Sequence, residues 1–300
     1  MAQAIGATRA ASRATTAKRP RASSVVMRVL FYAIVVVILL YTLIPFYWAI
    51  RSSFTPSADL FTTPVQYIPN RPTLEHYRQV LGTGLFRQAL LNSAIVALSV
   101  TLLSLVIGAF ASYALGRFRF RGRTPVLYLI LSMTMFPQIA VLGSLFQLVN
   151  SLRLFNKLPA LVLTYLIFTL PFTVWTLTNF FRAMPGELEE AAYVDGATPF
   201  QTFYKVLLPL AGPGMVTTGL LAFISAWNEF LFALSFTQTP DKRTVNLAIF
   251  YFSGASGNTF EIPWGQIMAA TVIVTVPIVA LVLIFQRRII AGLTAGAVKG

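Results

Sequence analysis

The sequence predicts an all-α integral membrane protein with six transmembrane helices, and three observations carry that prediction. Composition is the first: of 300 residues, 56% are hydrophobic and 11% charged, with a mean hydropathy of +0.73. That leaves too little polar surface to close around a water-soluble core. The spacing of charge is the second. Arg28 to Arg51, Arg87 to Arg117, Arg123 to Arg153, Lys157 to Arg182, Lys205 to Glu229 and Glu261 to Arg287 each bracket an uncharged run. Each run holds the roughly 20 apolar residues that a bilayer-crossing helix needs. The third is the pattern inside the runs: Leu102-Leu103-Ser104-Leu105-Val106-Ile107 and Val272-Ile273-Val274 are apolar on all sides, whereas a membrane β-barrel alternates apolar and polar residues over segments of about 10.

Taken in order, residues 1–24 are Ala, Arg, Ser and Thr with Lys18 and Arg19 and no acid, a composition that builds no core and is expected to be a disordered basic tail, although organelle transit peptides share it. Val29 to Ile50 is too long for the apolar stretch of a signal peptide and has no Ala-x-Ala-like site after it, so it reads as an uncleaved first span. Five more helices are expected near 89–114, 125–150, 158–181, 213–236 and 265–287, completing a six-helix transmembrane body over 25–290. A loop at 51–88 carries Pro56, Pro64, Pro69 and Pro72 and the one histidine, His76, expected as a solvated side chain. A second loop of the same side covers 237–264. Within the second span, Ser104, Gly108, Ser112 and Gly116 recur every fourth residue, a small-residue ridge for close helix packing.

Lysine and arginine give the orientation. With the N-terminus inside, the inner segments 1–28, 115–124, 182–212 and 287–300 hold 15 of the 23 basic residues, and Arg117, Arg119, Arg121 and Arg123 crowd the shortest connection with no acid among them, as cytoplasmic segments do. Six spans return the C-terminal tail, 291–300, to the same side. The formal charge of +14 then reflects topology and attraction to anionic membrane lipid, and a nucleic-acid partner is not expected. There is no cysteine, which removes disulfides, zinc thiolates and thiol nucleophiles. A phosphate-binding P-loop needs Gly-Lys-Ser/Thr, and none of Lys18, Lys157, Lys205, Lys242 or Lys299 is followed by Ser or Thr, so no catalytic site, cofactor or metal is expected in this chain.

The polar gap 182–212 reads as two short helices. Pro185 suits a first turn, Glu187, Glu189 and Glu190 favour the positive end of a helix dipole, and Gly196 accepts the left-handed turn that stops it. Thr198-Pro199-Phe200-Gln201 has the form of a capping box opening a second helix, which Pro209 and Gly212 would end. The spacing of Glu190-Ala191-Ala192, Gly196, the aliphatic Val206 and Leu208-Pro209 resembles the "EAA" loop of binding-protein-dependent ABC importers. The resemblance implies that these residues, with Asp195 beside the glycine, seat in a separate ATPase subunit that would hold the ATP and Mg2+.

A narrower likeness is carried by Ala226-Trp227-Asn228-Glu229-Phe230 and by the tail from Gly292 to Gly300. Both are similar to the MalG-type permeases of maltose- and trehalose-class carbohydrate importers, over nearly the whole chain from Pro45 onward. In that family a companion permease completes the pathway, two ATPase copies dock beneath, and an extracytoplasmic sugar-binding protein delivers the solute at a prokaryotic cell membrane. The resemblance implies that the loop with Gly254, Ser256, Gly257, Asn258, Phe260 and Trp264 meets the binding protein, and that the tail reaches between the ATPases. A plain flexible turn is the other reading of that loop. Glu229 is the one acid inside an expected span. Its carboxylate costs about 2.5 to 3.5 kcal/mol at a helix centre and must face protein or water; with Trp227 and Asn228 it either lines a sugar pathway or forms a polar packing cluster. Importers of other solutes share the EAA loop. A secondary transporter would carry its own coupling charges and repeats, and a membrane scaffold would have no use for the docking loop.

Overall fold

A computed structural model describes residues 22–252 and 262–295, and among these every regular element is helical, with no strand. Helix α1 is Ala22–Ser53, so residues 22–24 of the expected tail are helical. From Val29 to Leu40 it is apolar, and its side chains are exposed apart from a half-buried Val35. By its contacts the chain up to Trp48 forms one unit and residues 49–300 a second. In the second unit come α2 (Glu75–Gly82), α3 (Gly84–Arg117), α4 (Arg123–Ser132), α5 (Gln138–Ser151), α6 (Leu158–Ala183), α7 (Glu187–Val194), α8 (Pro199–Leu210), α9 (Gly212–Asn228), α10 (Leu231–Phe236), α11 (Val245–Phe250) and α12 (Trp264–Ala295). Among the described residues four helices are long and apolar enough to cross a bilayer, and up to six spans result if each of two bent pairs, α4 with α5 and α8 with α9 (74°), counts as one. The expected tail is helical over 291–295, and 296–300 lie outside the described residues.

Two expected spans are broken, and each break has a local cause. The expected helix 125–150 is two helices, α4 and α5, meeting at 100°. Pro137 has no amide hydrogen and forces Phe136 into extended backbone (φ −75°, ψ 127°), which ends the first helix. The expected helix 213–236 stops at Asn228. Glu229 is extended (ψ 135°), and its carboxylate then accepts the amides of Phe232 at 2.7 Å and Ala233 at 3.2 Å, offering the chain a capped restart as α10. At 17 residues, α9 spans about 26 Å, short of the roughly 30 Å hydrocarbon thickness unless α10 continues it.

The bundle is organised on the α3–α6 contact, where the small-residue ridge lies against α6. A Cβ on Gly108 would come within 2.6 Å of Thr173 Cγ2, and one on Gly116 within 3.1 Å of Phe181 Cβ. Along the same ridge, the Ser104 and Thr169 hydroxyls pair at 2.8 Å, and Ser112 donates to the Val174 carbonyl at 2.9 Å. Close backbone approach therefore comes with fixed register.

At the far end of the bundle, side chains hold loops by their backbones. Asn92 donates to the carbonyls of Asp241 and Arg243 (2.8 and 2.9 Å), Ser93 accepts the Val245 amide (2.8 Å), and Asn156 accepts those of Gln238 and Thr239. His76 corrects the expectation of a solvated side chain. It is 2% exposed, its Nε2 lies 2.9 Å from the Thr55 carbonyl, and its ring fills the space beside Gly265 where any Cβ would collide. The glycine lets α12 seat against α2, which a loop histidine read from sequence alone gives no hint of. We expect Gly265→Ala to lower the stability of the assembled protein by about 1 to 3 kcal/mol through this overpacking, and His76→Ala in the same chain to restore part of it. Thermal unfolding of both variants checks this. A Gly265→Ala protein as stable as the parent would show that the ring moves aside freely.

Candidate functional site

The polar gap folds as the two-helix element its residues suggest. In α7 the three glutamates occupy the first turn, where unpaired amides favour negative charge. Its end is a complete Schellman motif: the Gly196 amide donates to Tyr193 O (3.0 Å), that of Ala197 to Ala192 O (2.9 Å), and Gly196 has φ +80°, as this closure requires. Helix α8 opens on the capping box, with the Gln201 amide donating to Thr198 Oγ1 at 3.3 Å and the Thr198 amide to Gln201 Oε1 at 2.8 Å. Two details differ from expectation. Pro185 precedes α7, whose cap is Gly186, and Pro209 does not end α8, which runs to Leu210. The chain absorbs Pro209 by widening to a π-helix over Phe203–Leu207, because the proline cannot bond the Lys205 carbonyl and its ring crowds it.

One guanidinium ties this element to the bundle. At the end of α3, Arg117 donates from Nε (2.9 Å) and an Nη (2.6 Å) to Glu189 of α7, and from its other Nη to the carbonyls of Phe181 (3.2 Å) and Met184 (2.9 Å) at the end of α6. In return Arg182 of α6 reaches the Leu115 carbonyl of α3 at 3.3 Å. Each arginine thus serves carbonyls in the last turn of a helix, where regular intrahelical donors run out. Beneath α8, the Phe203 ring lies 4.8 Å from Tyr113, 5.1 Å from Phe110 and 6.2 Å from Phe181, and Leu207 and Ala211 are fully buried in the same cluster.

What remains outside follows from the exposure of each residue. Glu190, Ala191, Asp195, Gly196 and Pro209 are exposed, Val206 and Leu208 half-buried, and Ala192 buried. Sequence reasoning missed its apolar members: Val194 is 87% and Phe200 61% exposed, with Tyr193 and Tyr204 also open. Apolar side chains inside a polar loop were the available signal.

The three residues of the Trp-Asn-Glu segment diverge. Trp227 is buried against Phe223, ring centroids 5.5 Å apart. Asn228 is exposed and donates to Ile224 O at 2.9 Å. Glu229 faces a cavity of about 30 Å3 shared with Gln138, Tyr165, Thr169 and Ser225, room for roughly one water. Both helix breaks open onto it. Of the loop residues, Trp264 opens α12, while Gly254, Ser256, Gly257, Asn258 and Phe260 lie outside the described residues.

A multi-span membrane subunit with a surface-mounted helix pair is thus defined by geometry, and comparison with known proteins gives its kind. Residues 104–294 match the family described as binding-protein-dependent transport system inner membrane component, and the chain belongs to that family. It is 44% identical over 260 residues to the trehalose transport system permease protein SugB of Mycobacterium tuberculosis, covering 87% of this chain and 93% of that one. It is 41% identical over 278 residues to the trehalose/maltose transport system permease protein MalG of Thermococcus litoralis, covering 92% and 98%. Among solved structures, a bacterial ABC transporter involved in the import of the acidic polysaccharide alginate superposes with a TM-score of 0.78 at 22% identity, over 89% of this chain and 97% of that one. That likeness is one of fold.

If Arg117 is the bolt, Arg117→Met should free α7 while leaving α3 in place. Hydrogen exchange of the α7 amides should then rise by at least tenfold relative to those of mid-α3, as expected for loss of a charge-assisted pair worth about 1.5 to 3 kcal/mol. Unchanged α7 protection would mean that Phe203 and its neighbours hold the element unaided.

Proposed function

We propose that this chain is one of two different permease subunits of an ATP-driven carbohydrate importer, and that α7 and α8 receive the force of a separate ATPase. The observation that carries the proposal is the pairing of the rigid helix–turn–helix, bolted by Arg117 to the ends of α3 and α6, with an outward face made of Glu190, Ala191, Asp195, Gly196 and Pro209. A surface meant to transmit force must be stiff toward the bundle and open toward its partner. Small Ala191 allows close approach, and exposed Val194 and Phe200 supply apolar area for docking. The chain has no P-loop, so ATP and Mg2+ belong to the ATPase, two copies of which would serve the two permeases.

The termini and the α7–α8 face lie on the cytoplasmic side of a prokaryotic cell membrane in this reading, supported by the bias of arginine and lysine. Carbohydrate is favoured as the solute class by relatives named for trehalose, trehalose/maltose and diacetylchitobiose. A periplasmic binding protein accompanies the alginate transporter in a second solved structure, and a sugar-binding protein is proposed here at the outer loops, Trp264 included. Of the Trp-Asn-Glu segment, Glu229 alone lines the small cavity, where polar groups and the Phe168 and Phe232 rings are mixed, and is the residue proposed to border the pathway; Trp227 packs.

The test is Gly196→Val in the assembled transporter. A β-branched residue resists φ +80° at a cost of about 1 to 3 kcal/mol, which falls on the α7–α8 turn and on no buried contact. The variant should insert and assemble normally, yet lose most sugar-stimulated ATP hydrolysis and uptake. Normal stimulation would remove α7–α8 as the coupling element, and stimulation by a non-sugar solute in place of trehalose or maltose would reassign the cargo.

A further inference from the structure

We propose that the short connection between α3 and α4 is a binding site for the phosphate of an anionic membrane lipid. Its four arginines divide into two roles. Arg117 is consumed by the bolt to Glu189, and Arg123 is half-buried with one Nη 3.4 Å from the Phe118 carbonyl. Arg119 and Arg121 are exposed and make no hydrogen bond or ion pair among the described residues. The bolt does not need them, and three guanidinium groups within five residues repel one another unless an anion lies among them.

The surface they share has the shape and place for such an anion. Residues 119–125 line an open concavity of about 400 Å3. The chain crosses it through Gly122 at φ +92°, and no side chain caps the helix that follows, so the first amides of α4 add to the arginines' positive field. Thr124 is exposed beside them. The depth is fixed by the chain: only residues 118–122 separate the last residue of the spanning helix α3 from the first of α4, which holds them at the level of lipid headgroups. Phe118 and Phe120, 48% and 47% exposed, alternate with the arginines and supply the apolar contact that an acyl boundary offers and a free anion does not. Phosphate suits guanidinium because the planar fork bonds two oxygens at once.

The assembled transporter is placed in bilayers of equal phosphatidylglycerol and phosphatidylcholine, and its retained lipid is counted by native mass spectrometry. Each basic residue at an anionic surface contributes roughly a factor of five, so the preference for phosphatidylglycerol in the parent should fall about twenty-five-fold in Arg119→Gln/Arg121→Gln and about fivefold in each single variant. Arg119→Lys/Arg121→Lys, which keeps the charge but not the planar fork, should fall between the parent and the double variant. Equal retention by parent and double variant would overturn the proposal. Inorganic phosphate at millimolar concentration displacing the lipid completely would overturn the assignment to lipid, leaving a site for free anions; failure to displace it supports the headgroup together with its acyl chains.

Discussion

The contact on which the site depends is the guanidinium of Arg117, which closes three chain ends at once. The α6 helix finishes with the carbonyl of Phe181, which keeps only a 3.4 Å bond from the Met184 amide, and that of Met184, and α7 begins a few residues later with a carboxylate at Glu189; both ends meet the same side chain. A lysine could pair the carboxylate but not span all three acceptors, because its three donors radiate from one atom while the arginine fork is flat and wide. The pair is little exposed, 11% and 17% for the two side chains, so screening by salt reaches it less than it would a surface pair. Its larger effect is geometric: it fixes the angle at which α7 leaves the bundle.

That angle would mean little if α8 were free to slide. Phe203 prevents this by sitting among Phe110, Tyr113 and Phe181, and the π-helical widening around it follows from Pro209. A proline that looks like a stop signal therefore shapes the helix it lies in, rotating the residues before it so that Phe203 and Leu207 both reach the cluster. The pair of constraints differs in kind. Arg117 acts through directed bonds to backbone and carboxylate, Phe203 through buried area, and together they define one orientation of the exposed face.

Much of this was legible in the sequence because the physics is local. Gly196 could be read as a left-handed stop and Thr198-Pro199-Phe200-Gln201 as a capping box, since both depend on neighbours within a few residues; the structure has φ +80° and both reciprocal bonds. The ridge from Ser104 to Gly116 announced its role by spacing alone. Composition also announced the membrane class, but it hid the breaks. Pro137 was visible, yet proline is common enough in membrane helices that its presence does not decide between a kink and a 100° turn. Glu229 was visible as an anomaly, but its use as a cap for Phe232 and Ala233 depends on a backbone that has already opened. His76 and Gly265 are 189 positions apart, and no periodicity connects them. Arg117 stood in a run of four similar arginines, and only the location of Glu189 and the α6 carbonyls distinguishes it from Arg119 and Arg121.

The placement of polar bonds along the bundle separates its parts by stiffness. At one end Arg117 and Arg182 cross between α3 and α6; at the other Asn92, Ser93 and Asn156 hold the backbone of the segment from Phe236 to Val245. In between, α3 and α6 are joined by close contact of small residues, where each hydroxyl pair adds only about 0.6 kcal/mol on average in a membrane and most of the cohesion is packing. Directed bonds therefore anchor the ends, while in the middle the Ser104 and Ser112 hydroxyls set the register and van der Waals contact supplies most of the cohesion. The breaks at Pro137 and Glu229 fall outside this α3–α6 spine, in α4–α5 and α9–α10, and both open onto the one cavity that holds Glu229. Backbone groups released by a helix break are tolerated at membrane depth where they are buried in protein or line a polar cavity. The chain thus keeps its continuous helices for the frame and its discontinuous ones for the wall that carries the half-buried carboxylate of Glu229.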